Sequence, residues 1–323
     1  MTEETRQARP RHPPRWRLNS NGTSGEDPRL AQRVRAAWKD AITFSVLALA
    51  FSYFIWVLLR PLIEPVVVRT GLAMFGPMMA ASACVRLRRQ PRRKKSRMSW
   101  ASTKSGLRWA VVSAGATMLL VGAGAALSVA TGNSHILSHP QFTLVSSGIP
   151  VPAVLLFFVV TAYGEESGWR GFLLPQLYAL GPARLVILTA LLFTLWHTPV
   201  ILMDGFDFPL QRLPGLGQML VFALPYTAIL SWLRVRSRGV AAPVGAHAAF
   251  NLGSAVLTAY MAHSSALIAA PMGLIGCLPL YGFTLWLVLT GRLWGRRVGA
   301  GSPRLHLDSR PSPWPAPAPA EAA

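Results

Sequence analysis

Charge is confined to a few places in this chain, and long stretches carry none. No Asp, Glu, Lys or Arg occurs from Ala41 to Leu59, from Trp109 to Gly164, or from Gly239 to Gly291. A helix of about 20 mainly apolar residues spans the hydrocarbon of a bilayer. The apolar runs predict spans at Ala41–Leu59, Val66–Val85, Trp109–Thr131, Ile149 to beyond Leu174, Pro182–Met203, Leu216–Leu233, Val240–Tyr260 and Leu267–Thr290. The expected fold is therefore all-α, a polytopic transmembrane bundle of about eight helices. Of these the second segment is the weakest candidate, and the fourth contains two glutamates and an arginine.

The basic residues lie between the spans. Of 323 residues only 14% are charged, yet the formal net charge is +20. Placing both termini in the cytoplasm puts 28 of the 32 Lys and Arg inside, chiefly in the tail to Lys39, between Arg86 and Arg108, at Arg234–Arg238 and after Thr290. Only Arg60, Arg69 and Arg212 then lie outside. This is the positive-inside pattern of a multi-pass protein of the plasma membrane. Basic clusters beside spans fix topology and touch anionic lipid, so the partners are lipid and not nucleic acid. Residues 1–38 read as a disordered basic tail, 41–148 as the N-terminal spans, 149–260 as a core, 261–292 as the last span, and 293–323 as a flexible Pro/Ala-rich tail. Cys84 and Cys277 sit in apolar stretches without metal-ligand spacing and read as small buried hydrophobes.

Ionisable residues inside a span are costly and mark candidate sites. Glu165 and Glu166 lie well inside the fourth span, in TAYGEESGWRGFLLPQL. Glu166 and Arg170 are one turn apart on one face, so they can pair and lower each other's burial cost. Glu165 points about 100° away. It has no such partner in its own helix and is suited to taking up a proton. His197 lies mid-span in LLFTLWHTPV, with Phe193 one turn earlier to wall its ring. Pro199 lacks an N–H, which leaves the Leu195 carbonyl without its helical donor and favours a kink. His247 and Asn251 share a face of PVGAHAAFNLGSAV, where Ala and Gly permit close helix approach. Taken singly, each of these residues has a plain packing explanation through interhelical hydrogen bonds. His135 and His139 are four apart in a loop and read as solvated. Depth along the helices lets Glu165, His197 and His247 meet in one cavity.

EESGWR, FTLWH and HAAFN fit the patterns EExxxR, FxxxH and HxxxN, in that order and on separate predicted helices. In these motifs, over about Ile149 to Tyr260, the chain resembles the CPBP family of intramembrane proteases. That family includes the CAAX prenyl endopeptidases of the Rce1 type and the bacterial Abi proteins. The resemblance implies Glu165 as catalytic base, His197 as its helper at the water, His247 and Asn251 at the oxyanion, and Glu166 and Arg170 in support. It implies a peptide or lipidated protein as substrate.

Two imidazoles and a carboxylate, His197, His247 and Glu165, are also a donor set that zinc accepts. The helical spacing of two His flanking a Glu one turn apart is absent, so a metal-free glutamate mechanism is favoured, with zinc as the alternative cofactor. Three functions fit the residues: an intramembrane endopeptidase, a non-enzymatic membrane scaffold or bacteriocin-immunity-type protein, and a proton-coupled transporter. The intact Glu, His, His and Asn set favours the first.

Overall fold

The structure is a computed structural model, and it describes residues 28–87 and 103–293. The chain divides after Ala36. Ten α-helices are described: α1 Pro28–Tyr53, α2 Val66–Ala73, α3 Gly76–Leu87, α4 Thr103–Ala130, α5 Val151–Gly168, α6 Leu174–Leu177, α7 Pro182–Asp204, α8 Arg212–Ser237, α9 Ala241–Tyr260 and α10 Leu274–Leu289. It is an all-α membrane bundle. Arg35–Leu58, Val66–Leu87, Ser105–Ala130, Pro182–Asp204 and Arg212–Ser237 are each long and apolar enough to cross a membrane. α5 and α9, which carry the glutamates, His247 and Asn251, fall short on apolarity, and α10 falls short on length at 16 residues.

Three details depart from the sequence reading. The expected second span is two helices, α2 and α3, broken at Met74–Phe75. α1 begins at Pro28, inside the stretch expected to be a tail. The residues before α10 form turns, so this helix starts at Leu274 and not near Leu267. A short antiparallel pair, β1 Ser134–Ile136 with β2 Met261–His263, ties the α4 exit to the end of α9. Of the two tails, residues 1–27 and 294–323 lie outside the described residues.

Helix α9 is the centre of the bundle. Its first half, Ala241–Phe250, is buried throughout, and it packs on α4, α5 and α8. Small residues make this approach close: a Cβ on Gly245 would run into the backbone of Ala110 in α4. α7 lies on α8, α3 on α5, and α10 on α4 and α8. α7 is bounded in the expected way, with Pro182 in its first turn and Gly205 at φ 69° past its end, a conformation only glycine adopts without strain.

A proline leaves the carbonyl four residues earlier without a backbone donor, and hydroxyl groups from other helices fill three such carbonyls. Pro77 frees the Ala73 carbonyl, which accepts from Ser52 Oγ at 2.9 Å. Pro199 frees that of Leu195, which accepts from the Tyr53 hydroxyl at 2.5 Å. Pro225, within α8, frees that of Val221, which accepts from the Tyr281 hydroxyl at 2.7 Å. In hydrocarbon no water takes this role, so an unfilled carbonyl costs several kcal/mol.

Candidate active site

The two glutamates lie at the end of α5, between Gly164 and Gly168. That spacing presents a bare face: a Cβ on Gly164 would meet the Met74 carbonyl oxygen at 2.8 Å, and one on Gly168 would strike Pro77. The helix break between α2 and α3 thus packs directly against the backbone that carries Glu165 and Glu166. Immediately afterwards, Trp169–Leu173 forms a single π-helical turn, a widening found often at functional sites. It turns the Arg170 carbonyl toward α8, where the Arg234 Nε–H donates to it at 3.1 Å.

Glu166 is the hub. Its Oε1 accepts from Arg170 Nη1 at 3.1 Å and from His247 Nδ1 at 2.8 Å. Glu166 and Arg170 are fully buried, and His247 is 4% exposed. The i, i+4 pair is the one the sequence spacing predicts. The third member, His247, comes from α9, 81 residues away in the chain. Glu166 therefore does more than neutralise Arg170; it also orients the imidazole. Glu165, equally buried, points elsewhere. Its Oε2 has no protein partner, nor have Glu166 Oε2, Arg170 Nε and Nη2. His247, Glu166 and Arg170 are all within electrostatic reach of Glu165.

His197 approaches from α7, within electrostatic reach of His247. Its Nδ1 lies 2.8 Å from the Phe193 carbonyl oxygen. A carbonyl only accepts, so Nδ1 carries a proton and Nε2 is free to accept in the neutral ring. Phe193 walls the ring edge-on at 4.5 Å between centroids, and Trp196 does so at 4.6 Å. No hydrogen bond joins Glu165 to His197 among the described residues. Asn251 is half-buried one turn beyond His247, and its amide makes no hydrogen bond among the described residues.

Four further residues shape the site without having been singled out in the sequence. Tyr226 of α8 stands edge-on to His247 at 5.7 Å, with its buried hydroxyl lacking a protein partner. Trp56 packs on Trp196 at 4.4 Å, and Tyr53 holds Leu195. Arg234 reads from sequence as a cytoplasmic flanking charge, yet it is only 2% exposed and braces the π-helical turn. A lone aromatic or a terminal arginine carries no sequence signal of such a role. The proline positions do, because each freed carbonyl demands a donor.

Among the described residues no three of His, Cys, Asp and Glu converge as ligands. Each imidazole uses Nδ1, on Phe193 or on Glu166, and keeps Nε2, the nitrogen through which a ring held in this way binds a metal.

The fold and site define a polytopic membrane protein that buries an acid–arginine–histidine cluster between its helices. Residues 147–253 match the family model described as type II CAAX prenyl endopeptidase Rce1-like. This region of the chain, which contains Glu165, Glu166, Arg170, His197, His247 and Asn251, carries the likeness to Rce1-type proteases. No curated protein matches the chain.

Proposed function

We propose that the protein is an intramembrane endopeptidase that hydrolyses a peptide bond of a membrane-associated substrate, using Glu165 as base and no metal. The observation that carries this reading is the division of the buried polar cluster. Glu166 holds Arg170 and His247 through Oε1, whereas neither of these groups hydrogen-bonds Glu165 beside it, whose Oε2 has no protein partner. A carboxylate left open next to an ion pair is poised to act on water.

The two imidazoles take opposite parts. His197, with Nδ1–H held by the Phe193 carbonyl, offers Nε2 as an acceptor that orients water for Glu165. His247 donates Nδ1–H to Glu166; when its second nitrogen is also protonated, Nε2–H points a donor at the developing oxyanion. Asn251, one turn on, supplies the second donor. Glu165 removes a proton as the water oxygen bonds to the carbonyl carbon. It returns that proton to the nitrogen as the C–N bond breaks, leaving a carboxylic acid and an amine. The family description supports a prenylated or otherwise lipid-bearing C-terminal segment as substrate.

The test is turnover of a fluorogenic lipidated peptide by purified protein in liposomes. Glu165→Gln keeps the shape and removes the base, and it is expected to lower kcat by about 10²–10⁴-fold with unchanged melting. A Glu165→Gln protein that cleaves at the wild-type rate moves the base elsewhere. A scaffold or immunity protein shows no turnover in either form.

The distribution of basic residues supports both termini on the cytoplasmic side. Reporters fused after Lys39 and after Thr290 are expected to report the same, inner compartment. An outer C-terminus would remove one crossing, and the broken α2–α3 segment is the first to re-examine.

A further inference from the structure

We infer that Tyr53 is a positioning residue for His197, supplied by α1, a helix outside the matched region 147–253. Helix α7 contains Pro199 only two residues beyond His197. The ring of Pro199 removes the donor that would hold the Leu195 carbonyl, so the turn carrying His197 lacks the bond that fixes its pitch. The Tyr53 hydroxyl restores it from across the helix interface, at 2.5 Å from the Leu195 oxygen, with the Thr198 hydroxyl also against it.

The preceding residue of α1 holds the next residue of that turn. Ser52 Oγ accepts from Trp196 Nε1 at 2.7 Å and donates to the Ala73 carbonyl that Pro77 frees. Trp56, one turn further, packs on Trp196 and reaches within 6.4 Å of the His197 ring. Leu195, Trp196 and His197 are consecutive, and α1 binds the first two by hydrogen bonds. The imidazole is therefore set by α1 on one side and by Phe193 within α7 on the other. Tyr53 does not touch the reacting atoms; it acts through the backbone turn that carries His197.

The kinetic consequence rests on the peptidase reading, whereas the structural consequence does not. Tyr53→Phe removes only the hydroxyl, and misplacement of His197 is expected to lower kcat by about 10–100-fold with KM little changed. The decisive control restores the missing donor. Pro199→Ala gives residue 199 an N–H that refills the Leu195 carbonyl from within α7, so in that background Tyr53→Phe should change kcat less than about two-fold. Pro199→Ser serves equally if the alanine variant does not fold. In parallel, ¹⁵N NMR of the His197 imidazole, assigned by its loss in His197→Asn, should shift on Tyr53→Phe with Pro199 present and stay fixed with Pro199 replaced. Equal effects in both backgrounds, or no imidazole shift in either, overturn the inference. Absence of turnover in the wild type overturns the peptidase reading and leaves the imidazole measurement to decide this one.

Discussion

Two clusters in this protein surround one carboxylate with two basic side chains, and they are finished differently. At the end of α7, Asp204 pairs with Arg60 at 3.3 Å and with Arg69 at 2.5 Å. Arg69, itself 1% exposed, also donates to the carbonyls of Ile63 and Glu64, and Arg212 caps the last carbonyls of α7 at Leu202 and Met203. Cations suit that place, because the C-terminus of a helix carries partial negative charge. In the other cluster, Glu166 holds Arg170 and His247, but four polar atoms of Glu165, Glu166 and Arg170 are left without protein partners, against one, Arg69 Nε, in the first. Buried polar atoms are nearly always paired, so concentrated exceptions call for an explanation. The Asp204 cluster joins a loop to a helix end. The Glu166 cluster keeps hydrogen-bonding capacity that water and a peptide can use. Similar charges thus make a clamp in one place and a candidate site in the other, and the difference lies in what is left unsatisfied.

The largest effect expected from breaking this comparison is at Glu166. Glu166→Gln strands the Arg170 charge in a fully buried position and loosens His247. It is expected to cost about 3–5 kcal/mol of stability, measured by thermal or denaturant unfolding in detergent. Removing the stranded charge as well, in Glu166→Gln with Arg170→Gln, should recover part of that stability. Turnover should stay low in the double variant, because His247 remains without its partner. If the double variant is as unstable as the single one, the pair is not the source of the cost. Glu165→Gln, by contrast, should leave melting unchanged, so the neighbouring glutamates separate into one that holds the fold and one that does not.

A smaller effect is expected at the clamp. Asp204→Asn keeps a hydrogen-bond acceptor near Arg69, which also retains two carbonyl partners, and Arg60 is exposed. The expected loss is about 1–3 kcal/mol of stability. Because the cluster is satisfied within the fold, turnover at a temperature below melting should match the wild type. A large loss of turnover without a loss of stability would show that the α7 end communicates with the site, and would end the distinction drawn between the two clusters.

What the sequence makes legible follows from which interactions are local. Glu166 with Arg170 and Phe193 with His197 are each one helical turn apart, so spacing alone pairs them, and the structure shows both pairs. The apolar runs place most of the helices because burial in lipid needs only composition and length. Partners distant in sequence are not legible in this way. His247 reaches Glu166 across 81 residues and Tyr53 reaches Leu195 across 142, and only helix packing determines such meetings. Arg69 and Arg234 mislead for the same reason. Beside a span they look like topological flanks, and the structure buries both. The break at Met74–Phe75 lies between Gly71 and Pro77, both poor helix formers.

The smallest effect is expected from metal removal, and it bears on the use of the spare capacity around Glu165. If those open atoms serve water and peptide, a chelator has nothing essential to take. If they serve zinc, His197, His247 and Glu165 are the donors at issue. Among the described residues no three such donors converge, while each ring, with Nδ1 held by another group, keeps Nε2 for water or for a metal. Protein stripped with a strong chelator and moved into metal-free buffer should keep its turnover and its melting temperature. Both should be insensitive to added zinc at stoichiometric amounts. Loss of turnover restored by one equivalent of zinc would show that the imidazoles swing inward when metal is present. Glu166 would then be a partner that orients a ligand, as carboxylates beside metal-binding histidines do, and the contrast with Asp204 would rest on the metal and not on open hydrogen-bond capacity.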